Sequence, residues 1–271
     1  MRFWNATLTM TPDPAPTRVP LSLIMITRNA GGQLRAALES ASFADEMVIV
    51  DSGSDDDTVQ IAASFGALVV HQSWLGYGPQ KQFAVGRAKH DWVLCLDADE
   101  RVTPELARSI AATVASPAAG AYRMARRNRF LGRWLAHGEG YPDWSLRLFN
   151  RQRARWSDDL VHERVLSEEA IGTLDGDLLH ESAETLETYL AKQNRYTTLQ
   201  AERMLSQGRR PSVALLLGSP LVRFVKFYVV RLGFLDGLAG LVHIAIGCGN
   251  SFLKHAKLFA LVRATREAAG T

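Results

Sequence analysis

An apolar run, Trp92-Val93-Leu94-Cys95-Leu96, ends abruptly in Asp97-Ala98-Asp99-Glu100. A run this short and apolar predicts a buried strand with its carboxylates emerging at the carboxyl end. Asp97 and Asp99 are two residues apart, so on a continuing strand their side chains leave on one face. Two carboxylates that close repel unless a cation lies between them. Oxygen ligands suit Mg2+ or Mn2+, and Mg2+ commonly holds substrate phosphates while keeping several waters. The same residues also describe a solvated acidic turn, so the rest of the chain has to decide.

The elements that must position these carboxylates alternate in type. Leu21 to Thr27 predicts a strand, Arg28-Asn29-Ala30-Gly31-Gly32 a turn, and Gln33 to Ser42 a helix. Met47 to Val50 is the next buried strand and runs into Asp51-Ser52-Gly53-Ser54. A helix over Thr58 to Phe65, a strand over Ala67 to His71 and a helix over Gln80 to Lys89 lead to the Trp92 strand. This βαβαβαβ order implies a mostly parallel sheet with right-handed crossovers. Carboxylates at Asp51 and at Asp97/Asp99 then fall on one sheet edge, where ligands of open α/β sheets bind. No GxGxxG follows the first strand and no GxxxxGK[ST] occurs, which argues against a dinucleotide fold and a P-loop.

Further along, Thr103 and Pro104 suit the N-cap and first position of a helix reaching about Val114. A short strand over Ala121 to Met124 opens a cationic segment carrying Arg123, Arg126, Arg127, Arg129 and Arg133. These are surface charge or contacts for a polyanionic substrate. They do not recur with an aromatic stacking pattern, which argues against nucleic acid as partner. Tyr141 and Trp144, with Trp156, are candidates to stack on sugar faces or to fill the core. Arg147 stands in an apolar strand, Ser145 to Phe149, and needs an anionic partner. Asp143, Glu163, Asp158 and Asp159 are candidates for a general base, which an attacking hydroxyl requires.

The 271 residues suffice for one large α/β domain and an appendage. With 47% hydrophobic and 22% charged residues the chain is expected to be globular, not disordered. Cys95 and Cys248 suggest no disulfide framework, in keeping with a reducing compartment. Residues 1–20 read as a flexible leader, 21–182 as the α/β catalytic domain and 183–271 as a helical C-terminal region. Between Arg209 and Arg263 eight Lys or Arg accompany a single acidic residue, Asp236. A basic, amphipathic segment of this kind is expected to lie on an anionic membrane surface. Leu232 to Leu253 has the length of a span, but its glycines and polar residues favour an interfacial position.

The segments LSLIMITRNA, VIVDSGSDDDT and KQFAVGRAKHDWVLCLDADE together resemble inverting glycosyltransferases of family 2, with the GT-A, Rossmann-like nucleotide-diphospho-sugar transferase fold. GYPDWSLRLF, VHE, LLHES and the GFLDG segment are similar to the branch that adds glucose to lipopolysaccharide inner-core heptose. The resemblance spans about Leu21 to Leu261. It implies a nucleotide-sugar donor such as UDP-glucose, a glycolipid acceptor, and a peripheral place on the cytoplasmic face of the inner membrane. It assigns uridine and ribose contacts to Thr27, Asn29 and Asp51, with Ser52 and Gly53 shaping the turn. A phosphate contact falls on Lys81. The Asp-x-Asp pair would hold Mg2+ or Mn2+, with Asp99 the direct ligand and either His162 or His180 as third ligand. The family's base carboxylate falls on Asp143 or Glu163. The alternatives are an acceptor such as polyprenyl phosphate or a capsule precursor, a nucleotidyltransferase, and a non-catalytic sugar-nucleotide-binding membrane protein.

Overall fold

A computed structural model of the chain describes residues 18–160, 163–182 and 185–269. The first half is βαβαβαβ, as the alternation requires: β1 (Val19–Thr27), α1 (Gly31–Ser40), β2 (Ala44–Asp51), α2 (Thr58–Ser64), β3 (Leu68–His71), α3 (Tyr77–Val85) and β4 (Trp92–Cys95). Several boundaries differ from expectation, those of β1 and α3 among them. β1 begins at Val19, so Val19 and Pro20 belong to the sheet, not to a leader. α3 starts at Tyr77, three residues before the expected Gln80, and ends before Gly86.

The remaining elements are β5 (Glu100–Val102), α4 (Pro104–Ala115), β6 (Ala121–Phe130), β7 (Arg133–Trp134), β8 (Asp143–Asn150), β9 (Ala154–Trp156), β10 (Val165–Ser167) and β11 (Ile171–His180). α5 (Leu186–Ser206), α6 (Val213–Phe224), a π-helical turn Val225–Val230, a 3₁₀ turn Gly233–Asp236 and α7 (Gly237–Ala269) follow.

The main sheet runs in the order β3-β2-β1-β4-β8-β6-β11-β5, with β7 paired to β6. β1 is parallel to both β2 and β4, with Thr27 opposite Asp51 and Ile24 opposite Cys95. The chain leaves β1 toward β2 and β3, then returns to β1's other side as β4. That reversal makes the carboxyl ends of β1 and β4 the switch point of the sheet, where a crevice opens. β8 is antiparallel to β4 and to β6, and β11 is parallel to β6. β8 therefore starts, and β6 and β11 end, on the same edge as the crevice.

Side chains alternate through the sheet into two cores. Leu21, Leu23 and Met25 of β1 pack with Leu34 and Leu38 of α1 and with Leu106, Ile110 and Val114 of α4. Ile24 faces the other way, with Val93, Cys95, Ala84, Phe149 and Trp156. Each fully buried Leu or Ile contributes about 1.5–3 kcal/mol. α4 begins as its sequence dictates: Thr103 Oγ1 accepts from the Leu106 N–H, and Pro104 follows.

α7 packs along α5 and α6. Its glycines serve packing. A Cβ on Gly247 would strike the Glu139 carboxylate and Arg223, and one on Gly240 would strike the Gly233 carbonyl. Leu232–Leu253 exposes Leu238, Phe252 and Leu253, but among the described residues the stretch long and apolar enough to span is Val213–Val230. It has 18 residues with mean hydropathy 1.7, none of them buried.

The helical region grips the loop between β7 and β8. Asp236, 2% exposed, accepts from the Ala136 and His137 N–H groups and contacts His137 Nδ1 at 3.1 Å. Arg223 pairs with Glu139, Arg231 Nη2 donates to the Tyr141 carbonyl, and Gly138 N–H donates to the Arg231 carbonyl.

Candidate active site

β4 stops at Cys95, and the chain turns: Glu100 N–H donates to the Asp97 carbonyl at 3.0 Å. Asp97 and Asp99 therefore sit on a turn, not on a continuing strand, and they diverge. Asp97 receives Lys81 Nζ at 3.1 Å and Arg147 Nη2 at 2.6 Å. Burial pushes the Asp97 carboxyl upward, but the Arg147 and Lys81 charges outweigh it and hold it well below the usual carboxylate range. Asp99 points instead toward β11, where His180 Nε2 lies 3.3 Å from its Oδ2. The His180 ring is fixed from behind by Asn128 Oδ1, 2.7 Å from Nδ1.

Glu100, fully buried, is the hub the sequence did not single out. Its carboxylate takes Arg147 Nη2 at 2.7 Å, Arg126 Nη1 at 3.3 Å and the Asp97 N–H at 3.1 Å. Burial disfavours the Arg147 charge, but Asp97 and Glu100 outweigh that and raise its pKa further. The signal was available: an arginine inside an apolar strand and a third carboxylate after Asp-x-Asp each need a partner. Arg126 continues the chain of charges, with Nη2 2.6 Å and Nε 3.0 Å from Asp143 Oδ2.

A cleft of about 480 Å³ opens over the β1–β4 switch point. Thr27, Asn29, Asp97 and Asp99 line it, together with Gln33, Trp74 and Tyr77. Trp74 and Tyr77 meet edge to face at 4.8 Å, both about half exposed at the cleft mouth. Neither was anticipated. Asn29 holds φ +53 and ties two turns together, its Oδ1 accepting from Asp55 N–H and its N–H donating to Ser54 Oγ.

Other expected contacts lie beneath or beside the cleft. Asp51 accepts from Gly53 N–H, Ser54 N–H and Thr27 Oγ1, which use up its carboxylate in shaping the turn. Burial raises its pKa, and the hydrogen bonds from Ser54, Gly53 and Thr27 bring it below the ordinary value. Ser52 Oγ accepts from Gln80 Nε2 at 3.0 Å. Lys81 is buried under Asp97, bridging it to Glu163 at 2.7 Å and lying over the Trp156 ring at 4.8 Å. It thus meets carboxylates where a phosphate contact was expected, and Glu163, so engaged, sits beside Asp97. Trp156 is core, donating Nε1–H to Cys95 Sγ.

Tyr141 and Trp144 do not form the expected sugar platform. The Tyr141 hydroxyl donates to Asp177 at 2.8 Å, and Trp144 leaves β8 on the side opposite Asp143 and Arg147, where Arg123 lies 4.6 Å over its ring. The arginines are likewise spent internally: Arg127 pairs with Asp177 and Arg129 with Glu181. His162 lies outside the described residues.

A second cavity, about 680 Å³, meets the first at Asp99. Asp143, His180 and Asn128 stand at that junction, with α5 and α7 forming the far wall. Asp99 and His180 are thus the described donors available to a divalent ion, and no cluster of three or more His, Cys, Asp or Glu occurs among the described residues. A carboxylate and an oriented imidazole fit Mn2+, and fit Mg2+ through the carboxylate, when substrate phosphates and waters complete the shell.

Residues 22–172 match the family model "Glycosyl transferase family 2". The chain belongs to glycosyl transferase family 2. Its mixed sheet with flanking helices is the family's GT-A fold, followed by a helical C-terminal region. Family 2 membership sets aside the nucleotidyltransferase alternative. The chain is 30% identical over 250 residues to "Lipopolysaccharide core biosynthesis glycosyltransferase LpsC" of Rhizobium meliloti, covering 89% of this chain and 93% of that one. An uncharacterized glycosyltransferase of Rickettsia bellii is 32% identical over 254 residues, covering 88% and 85%. Among solved structures, the mannosyltransferase PcManGT of Pyrobaculum calidifontis in complex with GDP-Man and Mn2+ superposes with TM-score 0.49 at 17% identity, covering 93% and 89%. TarS of S. aureus in complex with UDP does so at 0.47 and 15%, covering 90% and 91%.

Proposed function

We propose that this family 2 enzyme is an inverting glycosyltransferase that moves glucose from UDP-glucose onto a lipopolysaccharide inner-core acceptor. The observation that carries this reading is the meeting of two cavities at Asp99, one over the β1–β4 switch point and one walled by helices. A donor and an acceptor bound in these cavities would meet at one carboxylate. Similarity to LpsC over nearly both chains supports the lipopolysaccharide acceptor.

In this reading the nucleoside lies between Trp74 and Tyr77 on one side and the Thr27–Asn29 turn on the other, with its diphosphate toward Asp99. Asp99 and His180 would hold the divalent ion, which would supply charge neutralisation of the diphosphate leaving group. Asp143 is the base. Arg126 fixes its Oδ2, and among the described residues no donor reaches Oδ1, which is left for the acceptor hydroxyl. As that oxygen attacks the anomeric carbon from the face opposite the diphosphate, its proton passes to Asp143. The bond from the anomeric carbon to the diphosphate oxygen breaks, and its electron pair leaves with the nucleotide. An α-linked donor gives a β-linked product. Glu163 is too tightly engaged with Lys81 to share this role.

The same proposal places the enzyme peripherally on the cytoplasmic face of the inner membrane. Val213–Val230 presents exposed leucines and valines, carries Lys226 and is flanked by Arg209, Arg210 and Arg231. Apolar area beside cations matches an anionic lipid surface.

A donor panel with Mn2+ and deacylated lipopolysaccharide core, read by mass spectrometry, tests the reading. The expected product carries one added hexose in β-linkage. Transfer only to polyprenyl phosphate would replace the proposed acceptor, and an α-linked product would overturn inversion.

A further inference from the structure

The cavities do not end at the helical wall. The groove beside Asp99 shares Tyr189, Gln193, Tyr196 and His243 with a narrow neck of about 100 Å³ between α5 and α7. The neck in turn shares Arg223 and Ser251 with an apolar hollow of about 520 Å³ on α6. The three spaces thus follow one another, through shared lining residues, from the reacting centre to the exposed apolar helix.

Its walls change in chemistry along the way. Near Asp99 the groove carries a ring cluster, with Phe130 5.1 Å from His243 and 5.5 Å from Tyr189. Asn128 and Gln193 add amides, and His243 Nδ1 is buried without a hydrogen-bond partner. Apolar ring faces with a few convergent polar groups suit the alternating CH and hydroxyl faces of a saccharide. At about 680 Å³ the groove has room for several sugar units.

Glu139 and Arg223 line the neck as an ion pair, and Lys254 gives it a net positive charge. Lys254 lines it, half-buried, and no carboxylate pairs with it among the described residues. Burial and the nearby Arg223 and Arg209 charges push its pKa down, a cost that an anion in the neck would offset. Beyond it, Leu215, Val222 and Phe227 make the hollow apolar.

We infer that the acceptor is an anionic amphiphile laid along this path. Its reactive hydroxyl lies by Asp99 and Asp143, its saccharide lies on the Phe130–Tyr189–His243 cluster, its phosphate or carboxylate meets Lys254 in the neck, and its apolar part rests against α6. The inference builds on the glycosyltransferase reading of the Asp99 end.

Titration calorimetry on the full chain tests it, with UDP and with deacylated lipopolysaccharide core oligosaccharide, native and dephosphorylated, as probes. Lys254→Gln is expected to weaken binding of the native oligosaccharide about tenfold, Lys254→Arg to restore it, and Tyr189→Ala to weaken both oligosaccharides. UDP affinity stays at the wild-type value in all three. Equal loss of both oligosaccharides in Lys254→Gln supports the path and assigns the anion to a carboxylate. Loss of the native form alone supports it and assigns a phosphate. Wild-type oligosaccharide affinity in Lys254→Gln and Tyr189→Ala overturns the path while leaving the enzyme's reading intact. A wild-type chain that binds UDP but neither oligosaccharide overturns both path and acceptor, and one that binds no UDP overturns the donor reading itself.

Discussion

His180, the last residue of β11, reaches across the sheet edge to bring its Nε2 within 3.3 Å of Asp99 Oδ2. The two residues are far apart in sequence, but Asp99 immediately precedes β5, which pairs with β11 so that His180 lies opposite Glu100 and Glu181 N–H donates to the Asp99 carbonyl. In the proposed mechanism this carboxylate and the imidazole oriented by Asn128 supply two ligands of the divalent ion. Chelation of divalent metal is therefore expected to abolish transfer. Asp99→Asn should cost at least about a thousandfold in rate with an unchanged unfolding midpoint. His180→Ala and Asn128→Ala should raise the Mn2+ concentration needed for half-maximal rate by about 10–100-fold. Initial rates against Mn2+ concentration measure this, and an unchanged curve for His180→Ala would remove the histidine from the site.

Asp143 and Glu163 separate by kinetics. Asp143→Asn removes the proton acceptor, and kcat should fall by about 10²–10⁴ with donor affinity retained. Glu163→Gln loosens Lys81 beneath Asp97 and is expected to act mainly on donor KM. Steady-state rates with both substrates varied settle the pair, and the opposite pattern would move the base to Glu163.

Arg147 holds two carboxylates, one of them fully buried. Arg147→Met leaves Glu100 with Arg126 as its one cationic partner among the described residues and should destabilise the fold by about 3–5 kcal/mol. Urea unfolding measures it. A loss below about 1 kcal/mol would mean that water reaches Glu100.

The helical region should be acid-sensitive. Burial holds His243 below its usual 6.5, and burial with Lys254 and Arg209 does the same for His255. The unfolded chain then binds more protons than the folded one near pH 6. Stability is complete above 6.5 and falls as pH drops toward the folded values. At the other extreme, burial and the Asp177 hydrogen bond push Tyr141 up to about 12, so its contribution is lost as pH rises from 10 through about 12. Unfolding midpoints across pH should show both slopes. His243→Asn, if it does not flatten the acid slope, would exclude that residue as a source.

Binding to anionic vesicles should fall on Leu217→Asp and Leu221→Asp and weaken with added salt. Co-sedimentation at two salt concentrations reads both effects, and equal binding by the variants would free α6 of this role.

The alternating first half was legible because each strand is an apolar run bounded by turn residues, and because Thr103-Pro104 marks a helix start wherever it occurs. That Asp99 would stand at the cleft edge of the sheet was legible from the apolar run that precedes it. The partition of Asp97 from Asp99 was not, because it depends on Lys81 and Arg147 arriving from α3 and β8. The stacking roles given to Tyr141 and Trp144 failed for a related reason: composition does not say which side of β8 a ring leaves from. Trp74 and Tyr77 stand in a stretch with no periodic signal, and only the sheet order brings them to the cleft. The glycines of α7 read as membrane softeners in sequence and prove to be clearances for Glu139, Arg223 and the Gly233 carbonyl.

The grip of Asp236, Arg223 and Arg231 on residues 136–141 bears on how such enzymes can be recombined. A chimera joined just after His180 would inherit a loop from one parent and its anchors from another, and Asp143, two residues beyond Tyr141, would lose its footing. The exchangeable cassette is the helical region together with the β7–β8 loop, two pieces of chain separated by four strands that must be swapped as one.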